Sequence, residues 1–521
     1  MKIVRSIVAL ERGVGNNGGT KFDREGVMKT KFPAIPGLLL AMTFSAFAAD
    51  QTLHGDLVTR RDTIAKQIGQ NSMLILFSGE PKIKTNDVEY EFWQNNNLYY
   101  VTGVTQPETT FVLLPGSEKR KEFVFVQDRD AKKETWTGKI LSHQEVTDVS
   151  GVENVYSSNQ FEEFIDSILY ERPWDVDRYK ESHEYDKFFE AVKSGQASVY
   201  LCFEEKPGLH GEMTKEFEFA KKLRERFLGI TIHDAWPMMQ KMRQVKSEYE
   251  VRMLRKAVDI SAEGHLDTWK LLKPGVWEYR LESIMEAAFK RNNADWAYPS
   301  IIGSGSNATT LHYEASQRQA KEGDLILMDA AAAYQGYSAD VTRTIPVDGK
   351  FSKEQADIYQ IVYDAQEACF QSIKPGVKLS DIHLRSVDGI KEGLKKLGLI
   401  TDTTGDQYKM WYMHGVGHWI GLDVHDAGDS WRPIEPGMTF TVEPGIYIRA
   451  DTLDNLPPTP ENEKLKAAIL PAFEKYKNIG VRIEDDVLVT KDGYELLSIK
   501  VPRKIADVEK FFKSRQGPAQ E

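Results

Sequence analysis

The sequence predicts two domains, an N-terminal α/β domain over about residues 50–235 and a C-terminal α/β or α+β domain over about residues 240–510. Three observations support this fold class. The chain has 521 residues, enough for two domains of ordinary size. Up to about residue 235, apolar strand-like runs alternate with amphipathic helical stretches. Beyond residue 240, strand-rich blocks are separated by helical stretches around 353–373 and 379–397.

Composition excludes several classes of protein. With 41% hydrophobic and 28% charged residues the chain is globular, neither disordered nor collagen-like. A net charge of −11 argues against a nucleic-acid partner, which would require a basic surface. Only Cys202 and Cys369 are present, so neither a disulfide scaffold nor a thiolate zinc site can hold the fold. Any metal ion must therefore be bound by oxygen and nitrogen.

The first residues have the pattern of an export signal. Residues 1–27 form a Gly/Asn-rich extension, and a second start is available at Met28. A short basic lead follows at 28–31, then an apolar run at 32–44 and a small-residue pattern at 46–48. We predict a secretory signal peptide over about residues 28–48, a periplasmic or secreted protein, and no stable membrane insertion after its removal. A buried helix near the N-terminus is the alternative.

Within the N-terminal domain, four apolar runs predict strands and one amphipathic stretch predicts a helix at 162–171. The predicted strands are residues 73–77, 110–114, 122–126 and 198–203. No glycine turn among them has the spacing of a phosphate-binding loop. A long helix is then predicted over 247–272, because Ser247 resembles a cap and Val251, Leu254 and Val258 share one face. We place the domain boundary just before it, near residue 240.

Two apolar runs of the C-terminal domain each carry a carboxylate, Asp329 and Asp340. If the runs form a hairpin with a two-residue loop at Tyr334 and Gln335, these carboxylates face each other with Cβ atoms about 5 Å apart. Such a pair repels unless a cation lies between the two groups or one of them holds a proton. A metal ion is the simpler interpretation; two surface carboxylates without a ligand are the alternative.

A glycine-rich segment contains three of the chain's eleven histidines, His414, His418 and His425. Histidines in a glycine-rich loop are poor core material, and neutral imidazole is a common nitrogen ligand for divalent ions. A structural role would suit one of these histidines more easily than all three. The cluster therefore predicts a functional site.

Two further carboxylates, Glu443 and Glu484, end or interrupt apolar strand-like runs, where burial is costly without a partner or a metal. Strand alternation places Arg482 and Glu484 on one face. Asp485 and Asp486 are expected where the strand leaves the site, and we assign them no role. Four carboxylates favour two divalent ions over one, and an oxygen-rich set with a single histidine suits Mn²⁺, or less selectively Co²⁺ or Zn²⁺.

The order and local context of Asp329, Asp340, His418, Glu443 and Glu484 resemble the metal set of the pita-bread, methionine-aminopeptidase-like metallopeptidases, and most closely aminopeptidase P and prolidase. The matching motifs lie at 336–344, 414–426, 442–445 and 482–485. The resemblance extends to 302–307, 311–313 and 242–247, and to 95–103, which is similar to an N-domain strand that borders the active site. It implies an aminopeptidase P-type domain at 50–235 and a pita-bread catalytic domain at 240–510.

The resemblance also implies roles for individual residues. The five carboxylate and imidazole side chains would hold two metal ions, and Glu443 would also shuttle the proton. His425 and His312 would stabilise the oxyanion, and His414 and Arg482 would line the pocket for proline. Two departures are notable: Ala331 stands where the family has glycine, and residues 451–480 form a long segment expected beside the mouth of the site.

The leading interpretation is an exported Xaa-Pro aminopeptidase with two metal ions, acting on proline-containing peptides. The alternative is a prolidase restricted to Xaa-Pro dipeptides, with organophosphate hydrolysis as an incidental activity. A third hypothesis is a pita-bread binding module that has lost its chemistry. The resemblance further implies a homodimer or homotetramer.

Overall fold

The computed structural model describes residues 37–175 and 183–515, with the backbone alone for 37–52. The described residues from 51 onward form one compact unit, and residues 37–50 belong to a separate one. The predicted extension at 1–27, and the predicted signal peptide up to residue 36, lie outside the described residues. Residues 37–48 belong to helix α1, Gly37–Ile68. Within the described ranges, no helix is both long enough and apolar enough to cross a membrane.

The N-terminal domain is built on a six-stranded mixed sheet in the order β6-β5-β4-β1-β7-β8. Its strands, with the separate β2-β3 hairpin, are β1 Ser72–Phe77, β2 Ile83–Thr85, β3 Val88–Glu89, β4 Thr110–Leu113, β5 Glu122–Val126, β6 Val155–Ser157, β7 Ala197–Leu201 and β8 Ile230–Asp234. The helices after α1 are α2 Asn96–Thr102, α3 Ala131–Thr137, α4 His143–Ser150, α5 Phe161–Leu169, α6 Asp186–Lys193 and α7 Lys215–Arg226. The four predicted strands and the predicted helix at 162–171 are all present.

Both faces of this sheet are buried. In β1, Leu74 and Leu76 pack into one hydrophobic cluster, whereas Met73, Ile75 and Phe77 pack into another on the opposite face. This alternation is the two-residue period of a strand. The sheet is therefore covered on both faces, as expected for an α/β domain.

The segment expected to be a strand at 95–103 is instead helix α2. The Asn95 side chain accepts hydrogen bonds from the backbone N–H groups of Asn97 and Leu98, which caps the helix N-terminus. Gly103, with φ +68°, ends the helix in the left-handed conformation. The strand prediction was wrong because these capping residues outweigh the strand preference of the aromatic and β-branched residues between them.

The two domains are joined by α8, Trp236–Gln244, and α9, Glu248–Leu271. Ser247 and Glu250 form a capping box at the start of α9, so the predicted helix begins where its sequence indicated. The face of α9 that contains Leu254 and Val258 is buried. The predicted boundary at residue 240 falls within α8.

The C-terminal domain combines six helices, α9 among them, with short antiparallel sheets ordered β10-β11-β14, β13-β12-β9, β15-β18-β19 and β16-β17. The strands are β9 Asp295–Trp296, β10 Ile301–Ser304, β11 Leu325–Asp329, β12 Ala332–Tyr334, β13 Tyr337–Ser338, β14 Thr342–Pro346, β15 Thr439–Val442, β16 Gly445–Tyr447, β17 Gly480–Arg482, β18 Asp485–Val489 and β19 Tyr494–Leu496. The remaining helices are α10 Glu278–Arg291, α11 Lys353–Ser372, α12 Leu379–Leu397, α13 Pro460–Tyr476 and α14 Ile505–Arg515.

The β12-β13 hairpin differs in register from the prediction. Tyr334 pairs with Tyr337, so the two-residue loop is Gln335-Gly336 and not Tyr334-Gln335. Both loop residues have positive φ, +51° and +79°, as a type I′ turn requires. Asp329 consequently pairs with Thr342 and not with Asp340. Ala331 is buried and its φ is not positive, so alanine is accommodated in place of the family's glycine.

Residues 451–480 were expected beside the mouth of the site, but they pack elsewhere. Most of the segment is α13, whose residues Ile469, Phe473 and Tyr476 join the main hydrophobic core of the domain. None of residues 451–480 lines the cavity that holds the predicted site residues.

Both cysteines, Cys202 and Cys369, are buried and unpaired. Burial raises the pKa of both thiols, that of Cys369 to about 12. They are therefore neutral core residues.

Candidate metal centre

A cavity of about 440 Å³ in the C-terminal domain brings together all nine residues singled out from the sequence. They are Asp329, Asp340, His418, Glu443, Glu484, His312, His414, His425 and Arg482. Their individual roles stay predictions, but their convergence is a property of the fold. A larger open groove, of about 960 Å³, lies in the N-terminal domain and contains none of them.

Strand ends position the carboxylates. Asp329 is the last residue of β11, Glu443 directly follows β15, and Glu484 lies between β17 and β18. Asp340 lies in the short connection between β13 and β14. Side chains at strand ends can turn toward a shared cavity while the strands themselves stay in the core.

The ligand atoms of Asp340, His418 and Glu484 all lie within 4.8 Å of one another. His418 Nε2 is 3.4 Å from Asp340 Oδ2 and 3.5 Å from Glu443 Oε1. These separations place the side chains close enough to share a bound cation. Asp329 and Asp340 are not cross-strand partners, but their carboxylates lie close together. The Tyr298 hydroxyl is 2.6 Å from Oδ1 of each.

Two of the predicted ligands, Asp329 and Glu484, are also held by polar neighbours. Arg482 forms a short ion pair with Asp329, and its Nε lies 4.0 Å from Glu484 Oε2. Thr342 Oγ1 donates a hydrogen bond of 2.6 Å to Glu484 Oε2. The carboxylates are thus fixed in orientation by residues that are themselves buried.

Burial raises the pKa of Asp329, Glu443 and Glu484, and repulsion from neighbouring carboxylates adds to it. The pKa of Glu443 rises to about 7, and that of Glu484 lies well above its ordinary value. Arg482 opposes these shifts but does not cancel them. Buried carboxylates that resist ionisation together would be stabilised by divalent cations.

Burial disfavours a charged imidazolium at His418, but its hydrogen bond to Asp340 and the charges of Asp340 and Glu443 outweigh burial and raise its pKa to about 9. The negative charges of Asp340 and Glu443 therefore favour a positive charge at the position of the His418 ring nitrogen. The donor set, four carboxylates and one imidazole, fits hard or borderline divalent ions. The residues present therefore fit a divalent metal centre.

Two other histidines of the cavity, His414 and His425, have lowered pKa values that favour the neutral imidazole. Burial, reinforced by Arg482, lowers the pKa of His414 to about 3. Its Nδ1 is 2.8 Å from the Gly415 carbonyl, and its Nε2 is 2.9 Å from the Tyr447 hydroxyl. Burial and the neighbouring His418 lower the pKa of His425, whose ring centroid is 4.2 Å from that of His418.

Asp485 and Asp486 were expected to leave the site without a role, yet both are fully buried at the start of β18. Asp485 forms a buried ion pair with Arg343, at 2.6 Å. Asp486 Oδ2 accepts a hydrogen bond of 3.0 Å from the backbone N–H of Asp340. Asp486 thus fixes the backbone of Asp340, and Asp485 fixes Arg343, which donates a hydrogen bond to the backbone carbonyl of Glu484. Their place within an apolar strand-like run was the feature that could have revealed this role.

Comparison with known proteins agrees with the geometry. Residues 57–179 match the model of the aminopeptidase P N-terminal domain, and residues 252–491 match that of metallopeptidase family M24. The Xaa-Pro aminopeptidase of Haemophilus influenzae is 35% identical over 462 residues, covering 86% of this chain and 95% of that protein. The Xaa-Pro aminopeptidase of Escherichia coli is 32% identical, with coverages of 86% and 96%.

A solved structure gives the same result. Aminopeptidase P from E. coli with the inhibitor Pro-Leu superposes with a TM-score of 0.73 at 30% identity, covering 89% of this chain and 99% of that one. The predicted fold class, an N-terminal aminopeptidase P-type domain followed by a pita-bread catalytic domain, is thereby confirmed. With the converging carboxylates and imidazoles of its cavity, this chain belongs to metallopeptidase family M24.

Proposed function

We propose that the chain is an Xaa-Pro aminopeptidase, a metal-dependent hydrolase that releases the N-terminal residue of peptides whose second residue is proline. The observation that carries the proposal is the convergence of four carboxylates and His418 in one cavity of a chain 35% identical to an Xaa-Pro aminopeptidase. The E. coli relative of known structure binds the inhibitor Pro-Leu, which supports the same substrate class.

Asp329, Asp340, His418, Glu443 and Glu484 would hold two divalent ions, with Mn²⁺ favoured by the oxygen-rich donor set. When bound, such a pair of ions lowers the pKa of a shared water and neutralises negative charge that develops during hydrolysis. The four carboxylates balance most of the charge of two divalent ions.

The remaining steps belong to side chains of this chain. The Glu443 carboxyl, whose pKa burial raises to about 7 in the metal-free chain, would take up and return a proton during the reaction. It would deliver that proton to the prolyl nitrogen as the peptide bond breaks. His312 and His425 would donate hydrogen bonds to the carbonyl oxygen as negative charge builds up on it.

His414 and Arg482 would line the pocket that receives proline. A dedicated pocket is needed because the nitrogen of proline has no hydrogen to donate, so proteases that bind their substrate as a β-strand cannot treat it as an ordinary residue. Arg482 is anchored for this role by Asp329 and by the Tyr447 hydroxyl, 2.8 Å from its Nη1.

We also propose an exported protein that assembles as a homodimer or homotetramer. The sequence pattern at 28–48 supports export. N-terminal sequencing of the protein from its native cells checks it, because export predicts a mature chain that begins near residue 49. Light scattering of the purified protein measures the number of subunits.

Peptide length separates the proposal from its nearest alternative. We would load the purified protein with Mn²⁺ and compare hydrolysis of an Xaa-Pro dipeptide, an Xaa-Pro-Yaa tripeptide and a longer Xaa-Pro peptide, with Xaa-Ala-Yaa as a control. Cleavage of the longer Xaa-Pro peptides is expected, with none of the alanine control. Cleavage of the dipeptide alone would make the protein a prolidase, and a chain that takes up no divalent ion would be a binding module.

A further inference from the structure

A cluster of buried charges lies beside the cavity but does not line it. Lys246 Nζ is 2.6 Å from Asp426 Oδ2, and Arg243 Nη2 is 2.5 Å from Asp426 Oδ1. All three side chains are about 1% exposed. Lys246 also donates a hydrogen bond to the backbone carbonyl of Arg243. None of the three residues belongs to the lining of the cavity, so the mechanism proposed above does not use them.

The cluster holds a loop that carries two of the predicted functional histidines. We call residues 418–426 the histidine loop, because it begins at His418 and His425 is its next-to-last residue. The Asp426 backbone N–H donates a hydrogen bond of 2.8 Å to the Trp419 carbonyl, which closes the loop at its base. The carboxylate that binds Arg243 and Lys246 therefore belongs to the residue directly after His425.

Gly421 shows how tightly the loop packs on the cluster. A Cβ atom at this position would lie 2.0 Å from Asp426 Oδ2 and 2.7 Å from Lys246 Nζ. Only glycine allows the loop backbone to approach the ion pair this closely.

The cluster also extends into the N-terminal domain through α2. Arg243 Nη1 donates a hydrogen bond of 3.0 Å to Asn97 Oδ1, and Asn97 Nδ2 donates one of 2.7 Å to Glu204 Oε2. The neighbouring Asn96 Nδ2 donates a hydrogen bond of 2.7 Å to Asp423 Oδ1, within the loop. Two adjacent residues of the first domain thus contact the histidine loop, one directly and one through Arg243.

Stability alone does not explain such a cluster. Removing charges from water is costly, and well-packed apolar side chains of similar size often give equal or greater stability. What ion pairs and hydrogen bonds add is a fixed geometry, because each partner accepts only a narrow range of directions. Partners behind the residues of a metal or catalytic site commonly have this orienting role.

We propose that Arg243, Lys246 and Asp426 are positioning residues through which the N-terminal domain holds His418 and His425 at the metal centre. The inference rests on the proposed peptidase function for its kinetic consequences. It gives the N-terminal domain a part in catalysis within one chain: α2 fixes Arg243, Arg243 and Lys246 fix Asp426, and Asp426 fixes the histidine loop.

Asp426→Asn tests the proposal, because asparagine keeps the size of the side chain but removes the charge that Arg243 and Lys246 share. The matched control is Glu184→Gln, which breaks a partly buried ion pair, Glu184 with Arg120 at 2.9 Å, inside the N-terminal domain. Both full-length variants would be loaded with Mn²⁺. Metal content, melting temperature, and kcat and KM for an Xaa-Pro-Yaa peptide would be measured, together with hydrogen–deuterium exchange.

We expect Asp426→Asn to lower kcat by about 10-fold to 100-fold with a smaller change in KM, and to speed exchange of the amides of the histidine loop. Glu184→Gln should lower the melting temperature without lowering kcat. Lys246→Arg, which keeps the charge, should retain more activity than Lys246→Met. Asn97→Ala should lower kcat in the same direction, although Asn97 contacts no residue of the cavity lining through a hydrogen bond in the described structure.

The proposal is overturned if Asp426→Asn, Lys246→Met and Asn97→Ala lower kcat no more than Glu184→Gln does. If Asp426→Asn does not fold, the two other variants decide in the same way. If the wild-type protein cleaves no Xaa-Pro peptide, the proposed function fails. Hydrogen–deuterium exchange needs no substrate, so it still tests the positioning role. Faster exchange of the histidine-loop amides in Asp426→Asn than in Glu184→Gln supports that role, and equal exchange overturns it.

Discussion

Glu443 lies among the predicted metal ligands, and in the metal-free chain the pKa of its carboxyl is raised toward neutral pH. Burial raises its pKa to about 7, and Asp340 and Asp329 add to the shift, while His418 and Arg482 oppose it. An ordinary surface glutamate would be ionised at neutral pH and a poor proton donor.

We predict that Glu443→Gln lowers kcat by about 10²-fold to 10⁴-fold, because an amide cannot transfer the proton. The amide oxygen can still face a cation, so metal content measured alongside kcat separates lost proton transfer from lost metal. Glu435→Gln is the control, because Glu435 is half exposed and its carboxylate pairs with Arg432 near the surface. Equal kcat in Glu443→Gln and wild type would refute the proton role.

At this scale, sequence motifs identified residues with a distinctive chemistry and missed those whose importance comes from contacts. Tyr298 touches both Asp329 and Asp340, but no local pattern distinguishes it from any other tyrosine. The same is true of Thr342, whose hydroxyl binds Glu484. Such roles depend on residues far away in the sequence, and a motif contains no information about them.

At the scale of elements, the start of α10 organises the loop that carries His312. Glu278, the first residue of α10, is fully buried. Its carboxylate accepts hydrogen bonds from the backbone N–H and hydroxyl of Ser304, from Asn307, from the Tyr313 hydroxyl and from the backbone N–H of Arg318. One side chain thus ties both ends of the segment 304–318 to the helix.

We predict that Glu278→Gln costs about 1–3 kcal/mol of folding free energy, because the new amide group faces donors that then lack an acceptor. The activity, measured as kcat/KM for an Xaa-Pro-Yaa peptide, should fall as His312 loses its fixed position. Denaturant unfolding measures the free energy. Glu282→Gln, one turn later on the same helix, should change neither quantity; a matching loss there would show a helix effect and not a role of the Glu278 carboxylate.

Elements were predictable where their own periodicity and caps determine them. Helices α9, α11 and α12 begin and end within one or two residues of the sequence-based ranges. The exceptions, α2 and the β12-β13 hairpin, depended on Gly103 and Gly336, both with positive φ. In each case the glycine was the local indication of the correct structure, and the preferences of the residues beside it were misleading.

At the scale of the whole molecule, the metal centre couples folding stability to pH. The folded-state pKa of His418 is raised from 6.5 to about 9, so its contribution to stability is complete below pH 6.5 and is lost as pH rises through about 9. The pKa of Glu443 is raised from 4.5 to about 7, so its contribution to stability is likewise lost as pH rises between these two values. The lowered pKa of His414 changes stability only below pH 6.5.

We therefore predict that the metal-free protein melts about 2–5 °C lower at about pH 8.5 than at about pH 6.5, as measured by calorimetry. Mn²⁺ should raise the melting temperature more at the higher pH, because its ligands must be deprotonated. His418→Ala should show a smaller fall between the two pH values. A melting temperature that rises with pH in the metal-free wild type would contradict this account.

The order of the two domains could be predicted from the sequence, but the assembly of the catalytic domain could not. Its strands are two to five residues long and form four small sheets, so no strand identifies its partner by its own pattern. The site residues span His312 to Glu484, and only the packed core brings them into one cavity. The family motifs were enough to identify these residues, but only the fold brings them close together.

The burial of both cysteines has a practical consequence for work on this protein. Burial raises the pKa of the Cys202 and Cys369 thiols, so thiol-directed alkylating reagents should react only slowly with the folded protein. Purification then needs no dithiothreitol, whose own thiolates would compete for transition metals. The identity of the bound ion can accordingly be determined in buffers free of any competing sulfur ligand.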